Sequence, residues 1–192
     1  RREKLVITVG RLVPYKGHGT LLRAWRMSGL AADGFRLVVI GDGPLRQKIE
    51  LEAANCGDSV SLVRVCSEEE KAAWFRRAST FVLASENESE TFGIAAQEAM
   101  AFGLPAILPE LPTGVKDLAR KGDCGATFRA GDAASLAESL GRLLRSGPEL
   151  RRIGERNRSF VEKNFSPLAL ESTYGGICGL RSSFAAAAEQ AE

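Results

Sequence analysis

An α/β chain with a parallel sheet covered by helices on both faces is the fold class the sequence predicts, and two observations predict it. Short apolar runs rich in β-branched residues alternate with longer segments that carry apolar residues at helical spacing. The segments with the makings of a ligand site fall directly after the short runs, where open parallel sheets place their ligands. At 192 residues the chain is long enough for one larger domain, burying roughly 70% of the surface its unfolded form exposes.

Leu5–Val9 reads as the first buried strand, followed by the tight loop Gly10-Arg11-Leu12-Val13-Pro14-Tyr15-Lys16-Gly17 and a helix over residues 20–27. The second strand, 37–40, runs into Gly41-Asp42-Gly43-Pro44, where Pro44 suits the first position of a helix over 45–54 that stops near Gly57. Val60–Val63 is the third strand, with Arg64-Val65-Cys66 behind it and a helix over 68–78. The fourth, 80–83, leads through Ser85 to Gly93 into a helix over 93–102 that ends at Gly103. Residues 106–108 form the fifth. Past Pro109 the pattern changes to a short element around 125–128 and helical stretches at 133–145, 149–163 and 168–179, which are expected to pack over a sheet edge. One domain is therefore expected over residues 1–180, with a helix-prone tail over 181–192.

Composition narrows the function classes. The apolar and charged fractions are those of an ordinary globular protein, and a net charge of +2 gives no electrostatic argument for nucleic acid. Cys56, Cys66, Cys124 and Cys178 are scattered, without a Cys-x-x-Cys pair and with a single histidine, His18, to join them, so buried reduced thiols are expected rather than a metal site. No apolar run is long enough for a bilayer, and Arg1-Arg2-Glu3-Lys4 leads at once into a strand, which favours the cytoplasm. His18 has no Gly-x-Ser-x-Gly partner and reads as a packing residue. Trp25, Trp74 and Phe75 fall within helical patterns as core or edge packing.

Two segments carry chemistry. Glu90 and Glu98 bracket seven residues that turn through Gly93 into a helix, a run able to cover up to roughly 12 Å. One carboxylate can then face a sugar and the other a ribose, with the N–H groups and positive dipole end of the helix between them for a diphosphate. Taken alone, two solvated glutamates on an exposed helix are the competing reading. In the first loop, Arg11 offers a planar fork of donors and Lys16 a mobile point charge, both suited to diphosphate oxygens. Gly41-Asp42-Gly43-Pro44 lacks the third glycine of a dinucleotide loop and reads as a structural turn.

With Gly10-Arg11 through Lys16-Gly17, Gly41-Asp42-Gly43-Pro44, and Glu90 through Glu98 followed by Ala99-Met100-Ala101-Phe102-Gly103-Leu104-Pro105, the chain resembles the carboxyl-terminal donor-binding domain of group-1 (GT4-like) retaining glycosyltransferases. The resemblance runs from Leu5 to about Phe165 and implies the Rossmann-like second half of a GT-B architecture. It implies catalytic contributions from Arg11 and Lys16, which hold the donor's diphosphate and support its departure, and from Glu90, which bonds sugar hydroxyls. Gly10 and Thr91-Phe92-Gly93-Ile94 would supply backbone at the sugar and phosphates, Glu98 would take the ribose, and Arg64-Val65-Cys66 would read the base edge. Glu86 and Glu88 stand close by, but only Glu90 lies eight positions before Glu98.

The implied reaction is retaining transfer of a sugar from a nucleoside diphosphate sugar to an acceptor hydroxyl, on a saccharide or lipid-linked saccharide, without a metal or other cofactor. An amino-terminal domain, absent from this chain, would complete the enzyme and supply any peripheral membrane attachment; the isolated domain is expected to be inactive. Arg64 stands where many relatives have glycine, Ala84 where many have proline, and Leu111-Pro112-Thr113-Gly114 lacks their Gly-Gly pair, which leaves base and sugar open. Rival readings are a non-catalytic nucleotide-binding or interaction module, or a related synthase or nucleotide-sugar epimerase on the same fold.

Overall fold

A computed structural model describes residues 2–165. Six strands, β1 (Leu5–Val9), β2 (Arg36–Ile40), β3 (Val60–Val63), β4 (Thr80–Val82), β5 (Ala106–Glu110) and β6 (Gly125–Arg129), form one sheet in the order β3-β2-β1-β4-β5-β6. Every pairing is parallel. The helices between and after them are α1 (His18–Ser28), α2 (Arg46–Ala54), α3 (Glu68–Arg77), α4 (Ile94–Ala101), α5 (Gly114–Gly122), α6 (Ala133–Leu144) and α7 (Glu149–Phe165). This is the expected α/β, Rossmann-like architecture with helices on both faces.

Alternation along the strands divides the core in two. Val6, Leu37, Val39, Val82, Ile107 and Phe128 face α1, α2 and α6, where Leu21, Trp25, Ile49, Leu136 and Leu140 close over them. Leu5, Ile7, Val38, Ile40, Phe81 and Leu108 face the other way, against Phe75, Met100, Val115 and Leu118 of α3, α4 and α5. Neighbouring residues of one strand thus serve opposite layers, which is why these strands read as continuous apolar runs. Each large side chain buried here stabilises the fold by about 1.5–3 kcal/mol.

Helix α7 contributes to both layers, through Ile153 to the first and Val161 to the second. Its Asn157, fully buried, donates through Nδ2 to the carbonyls of Leu104 and Cys124, each at 2.9 Å, and so pins the entries to β5 and β6. Gly154 lies against the Gly103 carbonyl so closely that a Cβ would strike it.

Several expectations change in detail. Helix α1 starts at His18 rather than residue 20, and α2 starts at Arg46, leaving Pro44 in the preceding turn. Helix α5 was not anticipated; Thr113 caps it, its Oγ1 accepting the Val115 N–H at 3.4 Å. The short element near 125–128 is the edge strand β6.

Burial also corrects the cysteine reading. Cys56 and Cys66 are only half-buried, because one sits in the α2–β3 connection and the other just beyond the edge strand β3. Cys124 is buried, and that burial pushes its thiol up to about 12. Trp25 and Phe75 are buried as expected, while Trp74 is half-buried with the Arg77 guanidinium 4.7 Å from its ring centroid. The predicted helix 168–179, Cys178 and the tail 181–192 fall outside the described residues. No described helix is long and apolar enough to cross a membrane.

Candidate functional site

In the strand order, β1 is flanked by β2 on one side and β4 on the other, so the chain reverses its direction of winding between β1 and β4. At such a switch point the loops leaving two adjacent strands diverge and open a crevice. Here the loop after β1 carries Gly10 to Gly17, and the segment after β4 carries Ser85 to Gly93. A crevice of about 390 Å³ lies between them, bounded by Gly10, Lys16, Glu90, Phe92, Ile94 and Glu98 among others. That volume falls within the usual range for small-molecule sites, about 300–1,000 Å³.

A larger hollow of about 760 Å³ lies at the opposite, amino-terminal ends of the strands, bounded by Arg2, Lys4, Phe102 and Arg158. Its Arg2 guanidinium is already committed to carbonyls of Phe75, Ala78, Phe102 and Gly103. The strand ends there lack the divergence of a switch point, so the smaller crevice is the candidate site.

Glu90 organises the crevice. It is 6% exposed, and its Oε2 accepts from the Lys16 ammonium at 2.6 Å and from Ser85 Oγ at 2.7 Å, while Oε1 accepts the Gly93 N–H at 3.2 Å. Thr113 donates through Oγ1 to the Glu90 carbonyl at 2.9 Å, holding the loop to the start of α5. The expectation set Lys16 on the diphosphate and Glu90 on the sugar as separate contacts. The structure joins them in a nearly buried ion pair, with side-chain exposures of 17% and 8%. An ammonium has three N–H donors, so Lys16 keeps two for a ligand after meeting Glu90.

Gly93 adopts a left-handed conformation as the N-cap of α4, and Thr91, Phe92 and Ile94 stand exposed around it. The amide groups of this first turn, with the positive dipole end, face an anion favourably. Glu98 lies one helical turn further along, partly exposed, with Oε2 3.0 Å from the Lys71 ammonium of α3. Lys71 was not among the residues expected at the site.

Gly10, Lys16, Glu90, Thr91, Phe92, Ile94 and Glu98 therefore border one crevice, with Gly93 behind them. Arg11, Arg64, Val65 and Cys66 do not border it. Arg64 instead pairs with Asp42 at 3.1 Å across the β2 and β3 loops, and Val65 is 77% exposed. Arg11 is an exposed side chain next to Gly10 at the start of its loop. No three His, Cys, Asp or Glu side chains among the described residues gather as metal ligands.

His18 begins α1 beneath the loop, 3% exposed, with Nδ1 unpartnered among the described residues. Burial, with the Lys16 charge as the lesser cause, pushes its imidazole down to about 4. A neutral His18 is thus what the fold accepts. The unfolded imidazole titrates near 6.5, so this contribution is complete above that pH and is lost as pH falls towards about 4. The loss is about 3 kcal/mol over the window. Urea midpoints measured from pH 7 to pH 4 should fall in the native protein and stay flatter in His18→Asn; equal slopes would assign the effect to another group.

The sequence model of one family, described as glycosyl transferases group 1, matches residues 1–160. An exopolysaccharide phosphotransferase of Streptomyces coelicolor is 32% identical over 155 residues, covering 80% of this chain and 16% of that protein. A phosphatidyl-myo-inositol mannosyltransferase of Mycobacterium leprae is 31% identical over 147 residues, covering 76% of this chain and 38% of the relative. The chain thus spans less than half the length of either. Among solved structures, HepE of Anabaena in complex with UDP superposes with a TM-score of 0.79 at 17% identity, covering 93% of this chain and 49% of that one. That likeness concerns the fold.

Proposed function

The chain belongs to the group 1 glycosyl transferases, and on that premise we propose that it is the donor-binding domain of an enzyme moving a sugar from a nucleoside diphosphate sugar to an acceptor hydroxyl with retention. The observation that carries this reading is the crevice at the β1–β4 switch point, which Lys16, the start of α4 and Glu98 border together. The diphosphate lies against Lys16 and the first-turn amides of α4, the ribose against Glu98, and the sugar beside Glu90.

In the transfer, the bond from the anomeric carbon to the diphosphate oxygen breaks, and its electron pair leaves with the diphosphate. The acceptor oxygen bonds the same carbon on the face the diphosphate leaves, and its proton passes to the departing diphosphate oxygen. Lys16 and the α4 amides act on the leaving charge, which is largest in the transition state and therefore most strongly stabilised there. Ser85 and the Gly93 N–H hold Glu90 in place, suiting it to orient hydroxyls rather than to shuttle protons. Arg11 is proposed as a second diphosphate contact, and Arg64, Val65 and Cys66 as the base-facing loop, each reached by a ligand longer than the crevice itself.

The chain spans less than half of its relatives, which supports a preceding acceptor-binding domain in the complete protein. The curated relatives named above act on exopolysaccharide and on phosphatidyl-myo-inositol, which favours polysaccharide or glycolipid acceptors. Calorimetric titration with UDP, GDP and ADP should give saturable binding by at least one. Glu98→Ala should weaken it by about 1.5–3 kcal/mol, the usual worth of a hydrogen bond to a charged group. No binding by any of the three, or unchanged binding in Glu98→Ala, sinks the assignment.

A further inference from the structure

Helix α3 opens on a capping box, Ser67 with Glu70, and carries Glu68, Glu69 and Glu70 in its first turn. An acidic first turn complements the helix dipole and reads as a solvated face. Lys71 breaks that pattern. Its side chain is only 16% exposed, whereas that of Glu68 is 86% exposed.

The Lys71 ammonium sits 2.8 Å from Glu68 Oε2 and 3.0 Å from Glu98 Oε2. Partial burial works against its charge, but the hydrogen bonds to Glu68 and Glu98 outweigh it and hold the group above its ordinary value. Lys71 is therefore a fixed cation between an outer carboxylate that steadies it and an inner one that borders the crevice. Glu98 Oε1 takes part in no hydrogen bond among the described residues.

We propose that Lys71 is a positioning residue for ribose recognition: it clamps Glu98 by Oε2, fixes the carboxylate plane, and leaves Oε1 to accept from a ribose hydroxyl. The inference rests on the reading of Glu98 as the ribose contact and extends it. A free glutamate on the exposed face of a helix samples several rotamers, and ordering it costs a ligand affinity. The Lys71 clamp removes that cost before the nucleotide arrives. It also offsets the charge of Glu98, so that a carboxylate stands beside a diphosphate without repelling it.

The test compares two ligands on one protein. The nucleoside diphosphate that binds best, among UDP, GDP and ADP, and its 2′,3′-dideoxy counterpart are titrated into the native chain, Lys71→Met and Lys71→Arg. The native chain should prefer the ribose form by about tenfold or more. Lys71→Met should bring the ratio to about threefold or less, and Lys71→Arg should restore most of it.

A general loss of folded protein lowers both affinities alike and leaves the ratio where it was, so the ratio separates positioning from mere stability. Lys71→Leu, which also lacks a donor, serves in the same way where the methionine variant folds poorly. If the native chain binds both ligands equally, the ribose role of Glu98 fails and Lys71 with it. If the native chain discriminates and Lys71→Met keeps the full ratio, the Lys71 inference alone is overturned.

Discussion

Lys16→Met should lower affinity for a nucleoside diphosphate by at least about tenfold and at the same time destabilise the fold by about 3 kcal/mol. The two losses have separate causes. Affinity falls because the ammonium donors that would meet the diphosphate are gone. Stability falls because Glu90, 6% exposed, is left as a buried carboxylate without its cation. Removing one partner of a buried pair commonly costs about 3–5 kcal/mol. The lower end applies here, since Ser85 and the Gly93 N–H continue to serve the carboxylate.

Adding Glu90→Gln to Lys16→Met removes the stranded charge and should recover much of the stability without recovering diphosphate binding. Urea unfolding and calorimetry on the two single variants and the double variant measure this as a cycle. Native-like binding by Lys16→Met would end the diphosphate role. A double variant no more stable than Lys16→Met would show that the pair contributes nothing through burial of charge.

Gly17→Ala should be comparably severe although it changes no atom that meets a ligand. Gly17 has φ +64°, a left-handed conformation that costs an L-residue about 1–2 kcal/mol. A Cβ there would also collide with the Ala84 carbonyl, just beyond β4. Overpacking of this kind adds about 1–3 kcal/mol, for a total of about 2–5. Because the obstacle is backbone, the β1–α1 loop must move away from β4. That displacement stretches the Lys16–Glu90 pair and weakens diphosphate binding as well. An unchanged unfolding midpoint, or lowered stability with native affinity, would show that the loop absorbs the methyl group without moving Lys16.

The sheet was legible in the sequence because burial on both faces makes each strand a continuous apolar run, as in 37–40, where Leu37 and Val39 serve one core and Val38 and Ile40 the other. Helix α5 was not. It is bounded by Gly114 and Gly122, residues that punctuate loops more often than helices, and its Thr113 cap reads equally well as part of a turn.

For the site, local order set the candidate loops after their strands but did not show which side chains would pair. Lys16 and Glu90 lie 74 positions apart, and their pairing depends on β4 docking beside β1, which no local pattern encodes. Lys71 was hidden by the acids before it, since an acidic first turn on α3 predicts a solvated face. Arg64 follows its strand as expected, yet Asp42 on the neighbouring loop offers a nearer partner than the crevice does.

The seam between β1 and β4 divides the chain into two stretches of unlike charge character at the crevice. Everything up to α3 supplies the ammonium groups, Lys16 and Lys71; everything from β4 onward supplies the carboxylates, Glu90 and Glu98. Both ion pairs cross the seam, so the pairs that shape the nucleotide site also fasten the two halves of the sheet to each other. An anion settling on Lys16 takes the donors that Glu90 leaves free, and its own contacts to α4 add a further fastening across the seam. Occupancy of the crevice and cohesion of the halves are in this way two sides of a single linkage, and a ligand here tightens the molecule by as much as it binds more strongly to the joined halves than to the parted ones.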